Sequence, residues 1–183
     1  MRISHDPSRA APLTDVSERS TPSHRDGGVS IGLQMGDDQG HRLDGYLAEH
    51  TDEVRSLAYA VMAMADARLG GATRKVYANF NATVVVYSPD GKNSHALCSV
   101  VAYRRWVNLC FFNNGAQLPD PHGLLQGTGS TVRSVRIGIP ADLDSRVTDL
   151  LEDAIERWSW SYYPERPITT TIISVSNKRR SMR

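Results

Sequence analysis

The stretch KVYANFNATVVVYSPDGKNSHALCSVVAYRRWVNLCFF, residues 75–112, decides the fold. Four runs within it, KVYANF, ATVVVYS, HALCSVVAY and WVNLCFF, are rich in the β-branched and aromatic residues that favour strands. SPDG at 88–91 is typical of a turn, because proline presets φ and glycine accepts a positive φ. The arginines at 104–105 lack such turn chemistry and predict a wider loop. Connections this short make neighbouring strands antiparallel, since a parallel crossover needs about a dozen residues or more.

Helical patterns flank this strand region on both sides. LDGYLAEH at 43–50 predicts a short helix, and Thr51 is a suitable N-cap for a second helix with one apolar stripe. TVRSVRIGI at 131–139 predicts a fifth strand, after which Asp142 or Asp144 can cap a final amphipathic helix. One apolar stripe per helix predicts an α+β protein: a two-layer sandwich whose antiparallel sheet of about five strands is covered by helices on one face.

The composition divides the chain into three parts. Residues 1–42 are polar and aperiodic, which indicates a disordered or loosely attached N-terminal arm. Residues 43–158 carry the predicted α+β domain. Residues 159–183 form a C-terminal extension, in which TTTIISV could add an edge strand and NKRRSMR is a solvated basic end.

Composition and charge also bound the classes of function. The 183 residues carry a formal net charge of +1, so the overall field does not favour nucleic acid or membrane as a partner. The sequence has neither an apolar run that could span a bilayer nor the apolar core of a secretory signal. Cys98 and Cys110 lie in apolar runs and read as reduced thiols, which indicates a cytoplasmic protein. A homodimer formed through the sheet or the tail is compatible with these features.

The segment NNGAQLPDPHGLLQGTGSTVRSVRI, residues 113–137, suggests an anion-binding loop but lacks its specific pattern. Its glycines do not form GxGxxG, no GK[ST] follows, and they precede a strand, whereas phosphate loops follow one. Asp120 instead predicts the cap of a helical turn over PHGLLQ, which Gly127 would end. Arg133 and Arg136 remain possible anion contacts. Because they are three residues apart in a strand, they should point to opposite faces.

Polar and aromatic residues alternate with apolar ones along two of the predicted strands. In WVNLCFF the apolar set should face the helices, which leaves Trp106 and Asn108 on the other face; Tyr77 and Asn79 alternate likewise on the first strand. No catalytic motif and no spaced set of metal ligands is present, so a non-catalytic binding role is favoured. The predicted ligand-binding residues are Tyr77, Asn79, Trp106, Asn108, Arg133 and Arg136.

Three strings, VYANFNATVVVYSP, SVVAYRRWVNLCFFNNGAQLPDPHGLLQGTG and VRSVRI, resemble the YdhG-like family of bacterial domains. The resemblance covers about residues 43–158, and its most specific part is the ordered series WVNL, GAQLPDP, GLLQGTG and VR. It implies an antiparallel sheet covered by helices, similar to frataxin. The arm and the C-terminal extension depart from the family pattern.

The same resemblance implies an alternative function, that of an iron chaperone for iron–sulfur cluster assembly. An iron-donating surface needs clustered oxygen ligands. The first helices offer Asp44, Glu49, Asp52 and Glu53, with Asp37 and Asp38 upstream, while nearby arginine and lysine residues dilute the acidity. The leading expectation is therefore a small binding domain with no cofactor, and iron is the alternative.

Overall fold

The computed structural model describes residues 31–79, 81–158, 163 and 166–173, leaving aside the side chains of 31–37 and Asn79. Within these ranges, three helices and six strands form. They are α1 Ile31–Leu47, α2 Asp52–Asp66, β1 Thr73–Asn79, β2 Ala82–Ser88, β3 Cys98–Ala102, β4 Val107–Phe111, β5 Arg133–Ile137, α3 Ser145–Arg157 and β6 Thr169–Ile173. The protein is therefore α+β, as the periodicity predicts.

The strands form a single mixed sheet in the order β5-β4-β3-β2-β1-β6. Neighbouring strands from β1 to β5 pair antiparallel, as predicted, but β6 pairs parallel with β1, with Thr73 opposite Thr169. The expectation of about five antiparallel strands is thus corrected to six, one of them parallel. The segment between β5 and β6 contains α3, so it is long enough for the crossover that a parallel pair requires.

The first helix differs most from its predicted bounds. It begins at Ile31 and ends at Leu47, so it includes residues 31–42 that the sequence assigned to the arm. Leu43 and Leu47 are buried against the sheet, and the Gln39 side-chain oxygen accepts a hydrogen bond of 2.9 Å from the backbone N–H of Ile172 in β6. The helix therefore closes part of the edge that β6 would otherwise expose.

The predicted caps are present, with changes in detail. The Thr51 hydroxyl accepts from the backbone N–H of Val54 at the start of α2. Asp144 caps α3 by accepting from the backbone N–H of Arg146 at 2.9 Å. Asp142 caps the preceding 3-10 turn instead, where its carboxylate accepts from the N–H groups of Gly138 and Ile139. Of the two aspartates predicted as caps of the final helix, Asp144 therefore caps α3 and Asp142 caps the 3-10 turn before it.

Strand register separates the two faces of the sheet. A cross-strand row of five residues lies on the face toward the helices, and each member is at most 3% exposed: Val76, Val85, Val100, Leu109 and Val135. Leucine, valine and alanine side chains of all three helices join this row in one hydrophobic cluster. We call this the helix face and the opposite surface the second face.

A polar network closes the helix face where α2 meets β1, β2 and β6. The fully buried Tyr87 hydroxyl donates to the Asp66 carboxylate at 2.8 Å, and the Arg74 guanidinium pairs with the other carboxylate oxygen at 3.1 Å. Arg74 also donates to the Thr170 hydroxyl at 3.1 Å. Burial, reinforced by the Asp66 charge, raises the pKa of Tyr87 well above its usual value. The network thereby attaches the parallel strand to the core.

Candidate ligand-binding face

The second face carries a row of side chains that crosses all six strands. In order from β6 to β5, its members are Ile173, Tyr77, Val84, Val101, Asn108 and Arg136. Three of the six predicted ligand-binding residues, Tyr77, Asn108 and Arg136, therefore lie on one line. The sequence prediction that β4 alternates between faces is confirmed, because Val107, Leu109 and Phe111 are buried while Asn108 and Cys110 are only half-buried.

Trp106 joins this row at its β5 end. The guanidinium carbon of Arg136 lies 3.9 Å from the centroid of the Trp106 ring. The Tyr103 ring lies 5.5 Å from Trp106 and is inclined to it by 36°. A guanidinium stacked on an exposed aromatic ring contributes roughly 0.5–1 kcal/mol and keeps its N–H edges free for an acceptor. Arg136 thus stacks on Trp106 and is itself exposed to solvent.

Asn108 lies directly across from Arg136 and has an unmatched polar atom. Its side-chain oxygen is buried and has no hydrogen-bond partner among the residues that the structure describes. Leaving such a group unsatisfied costs about 1–3 kcal/mol. A donor brought by a ligand would remove that cost.

Tyr77 and Asn79 lie at the other end of the second face. Tyr77 is three strands away from Asn108, which is about 14 Å at the usual spacing between strands. Its hydroxyl donates to the side-chain oxygen of Asn93 at 3.0 Å, so it braces the loop after β2. Asn79 has the same parity as Tyr77 and pairs with Ala82, but its side chain lies outside the described residues. Apart from Arg133, the predicted set therefore divides into two separate groups.

Arg133 is separated from Arg136 as the spacing predicts, because it lies on the face of Val135 and Ile137. Its guanidinium donates to the backbone oxygens of Gly129 and Val132. Both bonds lie within the chain's own loop. Arg133 consequently braces the glycine-rich segment and does not contribute to the row on the second face.

The glycine-rich segment is a closed turn and not the predicted helical turn over 121–126. The Asp120 carboxylate accepts from the backbone N–H groups of Leu124 and Leu125, each at 2.8 Å, and Gly123 and Gly127 have positive φ. Gln126 then pairs with β5 through an isolated bridge. The anion bound by these amides is the protein's own Asp120, so they are not free to bind a phosphate.

The carboxylates proposed as iron ligands lie in separate interactions. Asp44 accepts from the Tyr59 hydroxyl at 2.6 Å, and Asp52 pairs with Arg55 at 2.7 Å. Backbone and Thr51 hydrogen bonds lower the pKa of Glu53 at the start of α2. Within the described part of the chain, no three acidic, histidine or cysteine side chains converge as a metal site, and neither Glu49 nor Asp38 changes this. The Asp37 side chain lies outside that part.

Both cysteines are free and lie on opposite faces of the sheet. Cys98 is fully buried on the helix face, where burial raises its thiol pKa far above the usual range. Cys110 lies across from Ser99 on the second face, and burial raises its pKa as well. A thiol with a raised pKa is mostly protonated at neutral pH and is a poor nucleophile.

Sequence reasoning missed the residues that join β3 to β4. The connection consists of four residues, 103–106, because β3 ends at Ala102 and β4 begins at Val107, and the Tyr103 N–H donates to the Trp106 carbonyl at 2.9 Å. Neither Arg104 nor Arg105 has a positive φ, so the connection is not a primed two-residue turn, which agrees with the lack of glycine or asparagine there. The turn places two exposed arginines beside Trp106.

Comparisons of the chain with protein-family models, with curated proteins and with solved structures gave no match. The resemblance to the YdhG-like family therefore stays a prediction from the sequence motif. No helix in the described ranges has the length and apolar character needed to cross a membrane.

Proposed function

We propose that this chain is a small non-catalytic binding domain of the YdhG-like, two-layer type, and that its ligand contacts the second face at Trp106, Asn108 and Arg136. The observation that carries the proposal is the buried Asn108 oxygen without a partner, beside a guanidinium stacked on Trp106. A native protein rarely leaves such a group unpaired unless another molecule or a functional role accounts for it.

The chemistry of this surface favours binding over catalysis. It presents an amide, a guanidinium and an aromatic ring, which fix a ligand through hydrogen bonds and stacking. The side chains whose pKa values are most strongly shifted, Tyr87 and Cys98, lie buried on the helix face. Perturbed pKa values are expected among catalytic acids and bases, and here they lie apart from the proposed ligand contacts.

Access to the Asn108 oxygen requires a neighbouring side chain to move. Arg136 is the cross-strand neighbour, and it is long, flexible and exposed. A ligand that accepts a hydrogen bond from Arg136 and donates one to Asn108 would use both groups. Such a ligand combines an acceptor with an N–H or O–H donor on a planar frame.

The test is a fragment screen by nuclear magnetic resonance on 15N-labelled full-length protein, using small planar carboxylates and amides. We expect binders to shift the side-chain signals of Asn108 and the indole signal of Trp106. Asn108→Val has no side-chain amide signal of its own, so its readout is the Trp106 indole signal, which binders should no longer shift. The fold should be equally or more stable, because the change removes an unmatched buried polar atom. Thr171→Val, at the exposed β6 end of the second face, is the matched control and should bind fragments normally.

Two results would contradict the proposal. One is a screen in which no fragment at millimolar concentration shifts these signals, and the other is unchanged binding by Asn108→Val. The alternative function, an iron chaperone, is tested by calorimetric titration with ferrous iron in the absence of oxygen. Since the described carboxylates do not converge, we expect no binding at micromolar metal, and a clear stoichiometric heat would favour the iron chaperone instead.

A further inference from the structure

The aromatic and arginine residues around the β3–β4 turn form a distinct surface. We define the hairpin patch as Tyr103, Arg104, Arg105, Trp106 and Arg136. Arg104, Arg105 and Arg136 are exposed, and no described carboxylate forms an ion pair with any of them. Asp142, near the end of β5, is occupied by two backbone N–H groups. The patch is therefore a local concentration of unpaired positive charge.

The geometry of the patch provides stacking as well as charge. Arg136 lies over one face of Trp106 at 3.9 Å, so its own outer plane continues the stack toward solvent. Nucleic-acid bases stack on arginine planes and on aromatic rings, and unpaired bases do so without sequence preference. Arg104 and Arg105 are exposed in the middle of the β3–β4 connection at the same end of the sheet, where they can contact the phosphates on either side of a stacked base.

From this arrangement we propose that the hairpin patch binds single-stranded nucleic acid. The inference rests on the proposed function and names the partner of the same face. A single strand fits the surface better than an acidic peptide, since a peptide carboxylate uses the arginines but leaves the Arg136–Trp106 stack unused. It also fits better than a free nucleotide, because the three arginines stand exposed on a turn and do not enclose a small molecule.

The near-neutral net charge does not oppose this partner. The chain carries 21 basic and 20 acidic residues, so its average field is weak. Contacts with phosphates depend on the charges within about one Debye length, roughly 8–10 Å at physiological salt. The hairpin patch contains three arginines and, among the described residues, no acidic partner for them. It can therefore attract phosphates locally even though the net charge of the chain is close to zero.

The experiment measures fluorescence anisotropy of labelled 15-nucleotide oligo(U) and oligo(dT) with the full chain. With three arginine charges in the patch, each neutralising about one phosphate charge, affinity is expected to fall roughly 20-fold between 50 and 200 mM salt. Arg104→Ala combined with Arg105→Ala should leave about one contact and reduce that salt effect to roughly threefold. Arg55→Ala combined with Arg157→Ala, which removes the same charge from the outside of α2 and α3, is the matched control and should bind as the parent does.

A second variant separates stacking from charge. Arg136→Lys keeps the charge but removes the planar guanidinium, so the salt dependence should persist while affinity falls about fivefold or more, the value of one stacked base. Oligo-glutamate of equal length carries charge without bases and should bind at least about fivefold more weakly than the oligonucleotides.

Three outcomes would overturn the nucleic-acid proposal. The first is that the chain does not bind the oligonucleotides at low salt, and the second is that it binds oligo-glutamate with equal affinity. The third is that the hairpin-patch variants bind normally, whereas binding is lost when Lys178, Arg179 and Arg180 of the basic C-terminal end are replaced by alanine. Any of these can occur while planar fragments still shift the Asn108 and Trp106 signals. In that case the proposed binding face stands with another partner.

Discussion

The substitution Asp66→Ala tests whether a polar network secures the sheet. Asp66 accepts from Tyr87 at 2.8 Å and pairs with Arg74 at 3.1 Å, so its removal affects two partners at once. The Tyr87 hydroxyl is fully buried and would keep no acceptor in its present position. The Arg74 guanidinium, by contrast, still has the Thr170 hydroxyl and partial access to water.

The expected loss of stability follows from these two unequal effects. An orphaned buried hydroxyl costs about 1–3 kcal/mol. The ion pair is partly exposed, with side-chain exposures of 20% for Arg74 and 32% for Asp66, so it contributes only about 0.2–1 kcal/mol. Together they predict a destabilisation of about 3 kcal/mol, which corresponds to roughly 6–12 °C in melting temperature for a chain of this size.

The assay is urea unfolding followed by circular dichroism, applied to a double-mutant cycle. Tyr87→Phe removes the hydroxyl and should cost only about 0.5–1.5 kcal/mol. The double variant is expected to be at least as stable as Asp66→Ala alone, because it contains no orphaned hydroxyl. Asp52→Ala is the control for a carboxylate in an exposed ion pair and should cost at most about 1 kcal/mol. Strictly additive losses would refute the network.

Two further predictions concern titration and close packing. Burial and the hydrogen bond to Asp44 raise the pKa of Tyr59 to about 12. The pKa of tyrosine in the unfolded chain is about 10, so the stabilisation is complete below pH 10 and is lost as the pH rises toward 12. Tyr59→Phe should therefore flatten the decline of melting temperature at alkaline pH. An unchanged decline would contradict this prediction. A Cβ at Gly115 would lie 2.8 Å from the backbone N of Arg133, so Gly115→Ala should cost about 1–3 kcal/mol by thermal unfolding. Gly45→Ala, within α1 and with open space around it, should stabilise by up to about 1 kcal/mol, and equal effects of the two changes would refute the steric argument.

The parts of the fold that follow local rules could be predicted from the sequence. Alternation in β4 assigned Asn108 and the buried leucine and valine residues to the correct faces, because side-chain direction in a strand has a period of two. Thr51 was recognised as a cap since its hydroxyl needs only a backbone N–H three residues away. In both cases the deciding interaction lies within a few residues.

The parts that failed depend on distant partners. The parallel pairing of β6 with β1 joins residues about a hundred positions apart, and nothing in TTTII specifies its direction. The Asp120 carboxylate satisfies amides at 124–125 without continuing into a helix, because the chain leaves to pair Gln126 with β5. Helix α1 extends back to Ile31 although the sequence of 31–42 has no clean apolar stripe. Tertiary contacts override local propensity at each of these places.

The candidate site shows the same division between local and distant information. The spacing of three residues correctly predicted that Arg133 and Arg136 lie on opposite faces of the sheet. It could not predict which of them is available to a ligand, because that depends on the positions of the Gly129 and Val132 carbonyls, which bind Arg133. The loop engages Arg133, Arg136 stacks on Trp106, and the β3–β4 connection places two more arginines beside that stack. The glycine-rich motif in residues 113–137 therefore maintains the conformation of its own loop. The proposed binding chemistry comes instead from Tyr-Arg-Arg-Trp at 103–106, and its position beside Arg136 is known only once β4 is paired with β5.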